Sequence, residues 1–142
     1  MEQPEIQILD FVKSELEKIK FTITPDKSRV AGLDYIIKAP TDKILQLHLR
    51  YINLDSDRKI KIQRQDLGKI TANQYLGLVL VVENKPILLY IFPLEIISKP
   101  DGKIFFSNDV KLLPYLSNWE IKIFTAIIPE LVKYEVRNFC LT

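Results

Sequence analysis

The chain has 142 residues, 47% of them hydrophobic and 27% charged, which is the make-up of one folded domain with its own core and excludes a disordered chain. Twenty Lys and Arg against 18 Asp and Glu leave a net charge of +2, so no bulk field draws the protein to nucleic acid or to a membrane. A single cysteine, Cys140, excludes an internal disulfide and a cysteine-built zinc cluster.

Ile6, Leu9, Val12, Leu16 and Ile19 recur at three- and four-residue steps, and Ile8 and Phe11 widen the stripe. The spacing predicts an amphipathic helix over residues 4–20, with Pro4 suited to its first turn. Thr24-Pro25-Asp26-Lys27-Ser28 reads as a loop. A strand is expected over residues 33–39, opened by Gly32 and stopped before Pro40. Residues 44–52 alternate: Leu45, Leu47, Leu49 and Tyr51 face one way, and Gln46, His48 and Arg50 the other. The plain expectation is an antiparallel strand with one wet face. Residues 53–57 form a turn, residues 59–63 a polar strand near a sheet edge, and residues 71–76 a short helix.

Residues 77–82 and 87–92 are near-continuous apolar runs joined by a turn at Asn84-Lys85. Strands without a polar face are covered on both sides. Lys99-Pro100-Asp101-Gly102 is a turn. Ser117-Asn118-Trp119-Glu120 reads as a helix entrance, with Trp119, Ile123 and Ile127 on one face and Pro129 kinking or restarting the element. The order of elements predicts a single α/β domain over residues 1–142, with a mixed central β-sheet flanked by helices on both faces. The N-terminal residues lack the basic start and apolar run of a signal peptide. The most apolar stretch, residues 76–97, is broken by Glu83, Asn84, Lys85, Pro86 and Pro93. A cytoplasmic protein with no membrane span is expected.

The informative segment is Gly32-Leu33-Asp34-Tyr35-Ile36-Ile37 followed by Leu45-Gln46-Leu47-His48-Leu49-Arg50. Here the sequence resembles the PD-(D/E)XK nuclease-like superfamily. In that family a leading helix, often bearing a Glu, precedes a strand that opens with a metal-binding Asp. A second strand then carries Glu or Gln and, two residues on, Lys. Leu89-Tyr90-Ile91-Phe92-Pro93 is similar to the strand-then-proline segment found downstream in several small members. The resemblance follows element order over most of the chain and rests on few residues. It implies a restriction-endonuclease-like sandwich and, in an active protein, magnesium-assisted phosphodiester hydrolysis. Glu5, Asp34 and Gln46 would be the metal ligands, with His48 or Arg50 near the scissile phosphate. Such chemistry uses convergent oxygen ligands to hold a hard cation that polarises the phosphate and activates water.

The sequence departs from that pattern where it matters most. His48 occupies the lysine position and neutral Gln46 the acid position. Arg50 can contact phosphate but is too firmly protonated to act as a base. The resemblance therefore implies a divergent, catalytically impaired member that keeps a binding role. Plainer readings stand beside it: Asp34 as a strand-opening residue, and Glu5 as a first-turn acid that suits the helix dipole.

Residues 41–70 carry seven basic side chains against four acidic ones. A basic hairpin with Arg50, Arg58, Lys59, Lys61 and Arg64 would follow a nucleic-acid phosphate backbone. The same lysines would also guard an edge strand against aggregation. Asp66-Leu67-Gly68-Lys69-Ile70-Thr71 lacks the earlier glycine of a phosphate cradle and is no nucleotide site. Trp119 and the Phe and Tyr residues are expected in the core. A second reading is a small non-enzymatic interaction protein, an inhibitor or assembly partner, whose apolar region 119–139 supports a homodimer.

Overall fold

The N-terminal stripe forms helix α1, Pro4–Lys18, in a computed structural model that describes residues 4–25, 34–67 and 70–139. α1 buries Ile8, Val12 and Leu16. It ends in a Schellman-type cap: the Phe21 amide donates to the Leu16 carbonyl at 2.9 Å and the Lys20 amide to the Glu17 carbonyl at 3.0 Å. Lys20 takes the left-handed position at φ 67° that glycine usually fills. The expected loop then begins as a strand, β1 (Thr22–Pro25). Its remainder (Asp26, Lys27 and Ser28), the strand opening at Gly32 and Leu33, the Gly68-Lys69 pair and Cys140 lie outside the described residues.

β2 (Asp34–Lys38), β3 (Ile44–Asn53), β5 (Gln74–Val82) and β6 (Lys85–Pro93) join β1 in a five-stranded sheet of order β1-β2-β3-β5-β6. The β3–β5 pair is parallel and the other pairs are antiparallel. Glu83 and Asn84 both have positive φ, 51° and 63°. That is the twist-matching geometry of a two-residue hairpin turn, here between β5 and β6. β4 (Lys59–Gln63), β8 (Asn118–Lys122) and β7 (Phe105–Asn108) form a second, antiparallel sheet of order β4-β8-β7.

Two cores follow from the alternation of β3, β5 and β6. One sheet face packs Leu45, Leu47, Val79, Val81, Leu89 and Ile91 against α1. Gly77 lies at its centre, where an added Cβ would come within 3.2 Å of Leu47 and 3.3 Å of Leu49. The other face packs Leu76, Leu78, Leu80, Tyr90 and Phe92 against Ile62, Trp119 and Ile121 of the second sheet. Short helices complete this side: α2 (Arg64–Leu67), α3 (Leu94–Ile97) and α4 (Ile128–Leu131) contribute Leu67, Leu94, Ile97 and Leu131. The expected α/β class with a mixed central sheet and helices on both faces is what forms, with a second sheet added on one side.

Two expected helices are strands. Residues 71–76 form a turn that runs into β5, and residues 118–122 are β8. The reason at β8 is a period of two: Trp119, Ile121 and Ile123 enter the core while Asn118, Glu120 and Lys122 take the outer face. The apolar region 119–139, expected to support a homodimer, buries Trp119, Ile121, Ile123, Leu131 and Val136 inside the chain itself. Among the described residues no helix is long and apolar enough to cross a membrane.

Candidate functional site: the β2–β3 hairpin

The hairpin closes on a tight turn. The Ala39 amide donates to the Lys43 carbonyl and the Asp42 amide to the Ala39 carbonyl, each at 2.9 Å. Register sets Asp34 opposite His48 and Ile36 opposite Gln46. On the parallel side Gln46 lies beside Gln74 and His48 beside Leu76. Directly opposed residues of an antiparallel pair share a face, as do residues two apart. Asp34, Gln46, His48 and Arg50 thus hold positions on one face, and Leu45 and Leu47 hold the other with α1.

That face is not wet, as a free antiparallel strand would leave it. It is the side on which the second sheet packs, and His48 is only 1% exposed. Gln46 is half-buried, and its Oε1 accepts a hydrogen bond from Gln74 Nε2 at 3.0 Å. Gln74, 4% exposed, in turn accepts the Thr71 amide on its own Oε1 at 2.9 Å. Arg50 is half-buried and donates from Nη1 to the Leu49 carbonyl at 2.9 Å. The hairpin therefore brings together Asp34, Gln46 and His48 by register. Glu5 belongs to α1, on the opposite face of the sheet. The side chains of Glu5 and Asp34 lie outside the described part of the structure.

A hard cation needs several oxygen ligands in one concavity. Of the three expected ligands only Gln46 has its side chain among the described ones, and its carbonyl is already bonded to Gln74; no three His, Cys, Asp or Glu side chains among the described residues come together. His48 is buried, and acting on a phosphodiester would require hydrogen-bond reach to it.

The five basic residues expected to form one phosphate track separate into distinct surroundings. Arg64 lies 4.8 Å from the Trp119 ring centroid and bonds Ser107 and Asp109. Arg50 is held against its own strand. Arg58, Lys59 and Lys61 are exposed. β4 is an edge strand of the second sheet, as the sequence suggested, and Lys59 and Lys61 stand on its outer face opposite Lys122 and Glu120.

Sequence reasoning missed the rest of that outer face. Glu120 is 5% exposed at its centre. Asn108 Nδ2 donates to its Oε1 at 3.2 Å and to Asn118 Oδ1 at 2.8 Å. Lys122 Nζ lies 3.5 Å from Glu120 Oε2 and 4.2 Å from the Phe106 ring centroid. The alternation Asn118-Trp119-Glu120-Ile121-Lys122 would have revealed it, read with period two. Set against protein-family models the sequence matches none, and among curated proteins it also matches none.

Proposed function

We propose that the protein is a divergent nuclease-like domain of the cytoplasm that binds nucleic acid without cleaving it. One observation carries this reading: the position that would need an acid holds Gln46, tied to Gln74 and half-buried beside a fully buried His48. Element order supports the nuclease-like ancestry, since a leading helix precedes a hairpin with Asp34 opposite His48. The outer face of the second sheet supports the partner. Exposed Lys59 and Lys61 stand opposite half-buried Lys122 and its buried partner Glu120, and lysines on such a face meet phosphates by releasing condensed counterions.

Fluorescence anisotropy with labelled DNA and RNA, titrated from roughly 50 to 200 mM salt, tests the reading. Binding should weaken steeply with salt. Lys59→Gln, Lys61→Gln and Lys122→Gln together should reduce the slope of log K against log salt by about 2–3, near 0.7–0.9 for each phosphate contact. A flat salt response removes the nucleic-acid partner. A magnesium-dependent product that vanishes in Asp34→Ala would restore cleavage and reject the binding-only reading.

A second reading, a protein-interaction module, rests on the β7–β8 connection. There Val110, Leu112, Leu113 and Leu116 are exposed, Leu112 to 93%, which is unusual apolar exposure for a single loop.

A further inference from the structure

A pocket of about 200 Å³ opens where β5 and β6 meet the C-terminal turns, lined by Tyr75, Ile91, Pro93, Lys133, Tyr134, Asn138 and Phe139. Tyr75 and Ile91 belong to the core face shared with α1. Tyr134 packs against the other core, but none of Gln46, His48, Lys59, Lys61 and Lys122 lines the pocket, which is thus separate from the Gln46–His48 face and from the lysine face of the second sheet.

Its walls are aromatic. Tyr75 and Phe139 meet edge to face at 5.2 Å between centroids and make one continuous surface. Tyr134 is braced from behind by Phe92 at 4.9 Å. Three rings lining a small recess suit either a cation or a second ring, and Lys133 decides between them. Its Nζ already lies 5.2 Å from the Tyr134 ring centroid, and among the described residues it makes no ion pair. A ligand cation would meet an uncompensated ammonium there, whereas an anion would gain a charge-assisted contact. Asn138 is fixed at the pocket wall by its Nδ2, which donates to the Val132 carbonyl at 2.8 Å. Ligand pockets for drug-sized molecules run from roughly 300 to 1,000 Å³, so this one takes a single ring.

We propose that this pocket binds a small aromatic carboxylate, its ring against Tyr75, Tyr134 and Phe139 and its carboxylate on Lys133. Burial, and after it nearby Glu95, raise the pKa of the Tyr75 phenol; Glu95 keeps an anion off that wall, so the ligand carboxylate belongs at Lys133 and the ring at Tyr75. This inference stands independently of the nucleic-acid reading.

The test is a protein-observed NMR titration with three single-ring probes of different charge: benzoate, neutral benzamide and phenyltrimethylammonium. Benzoate should give saturable shifts at the amides of Tyr75, Lys133 and Asn138. Benzamide should bind roughly tenfold more weakly, the worth of one charge-assisted contact. Lys133→Gln, at an exposed position, should bring benzoate down to the benzamide level while leaving the rest of the spectrum unchanged. Equal binding of benzoate and benzamide overturns the proposal. So does a preference for phenyltrimethylammonium, or benzoate shifts that fail to saturate or fall elsewhere.

Discussion

The Gln46–Gln74 bond decides whether the hairpin is a ligand site or a structural tie, and its energy can be worked from its surroundings. Gln46→Leu removes the acceptor of Gln74 Nε2, and Gln74 is 4% exposed. Leaving a buried donor unsatisfied costs about 1–3 kcal/mol. Burying a leucine at a half-buried position returns about 1 kcal/mol, so the net loss is about 0–2 kcal/mol. Gln74→Leu leaves the half-buried Gln46 carbonyl and the amide of exposed Thr71, both within reach of water, and costs less. The double variant leaves over the solvent-accessible Thr71 amide and no buried donor, and should approach wild type. The leucine gain cancels within the cycle, which then gives a coupling energy of about 1–3 kcal/mol. Urea denaturation of the four proteins measures it, and the Gln46→Leu thermal midpoint should fall by up to about 8 °C. The wild-type midpoint should also stay unchanged in about 10 mM magnesium chloride, since a cation bound only by the folded state would raise it. Additive single variants, or a magnesium stabilisation that disappears in Gln46→Leu, would falsify the structural assignment.

Two further predictions concern pH. Burial first, and Glu135 second, push the Tyr90 phenol up to about 12. The folded state thus holds this proton after an unfolded phenol, near 10, has released it. Its contribution to stability is complete below about pH 10 and declines as pH rises toward about 12, by up to about 1.4 kcal/mol per pH unit. Urea melts at alkaline pH should show a shallower decline in Tyr90→Phe, and parallel declines would remove Tyr90 as the cause. At Asp101 burial pulls the carboxyl up, but backbone amides of Phe105, Lys103 and Ile104 outweigh it and hold the pKa below the ordinary value. Its contribution is present above the unfolded carboxylate pKa and disappears as pH falls through the lower folded value. Asp101→Ala should cost about 1 kcal/mol near neutrality, as loss of a side-chain cap does, and the difference from wild type should shrink in acid. A gap that persists unchanged to low pH would show that the carboxylate charge is not what holds the turn.

What the sequence disclosed and what it concealed divide along physical lines. α1 was legible because its stripe is long and both its flanks are polar. β5 and β6 were legible because two-sided burial writes an unbroken apolar run, and Asp101-Gly102 because turn chemistry is local. β8 was misread because Trp119, Ile123 and Ile127 also satisfy a helical step. The alternation that outweighs it needed Asn118 and Glu120 to be recognised as an outer face. No local pattern could show that Gln46 and His48 would be covered. Their strand alternates like a half-exposed one, and the covering segments lie elsewhere in the sequence. The register of Asp34 against His48 follows from one tight turn, whereas burial of that register depends on partners many residues away.

The covering arises from the connection between β3 and β5. Parallel neighbours cannot be joined by a hairpin, so the chain must cross over a face of the sheet. Here that crossover carries β4 and α2, and β4 needs a partner for its own backbone groups. The partner is β8, which arrives after β6 and inserts between β4 and β7. The Lys-Ile-Lys-Ile pattern of β4 then does two things at once. Ile60 and Ile62 turn toward the core side, while Lys59 and Lys61 face out. The interaction that closes the Gln46–His48 face thereby produces the lysine face of the second sheet. Burial of the Gln46–His48 face and exposure of the lysines are consequences of one strand finding its partner.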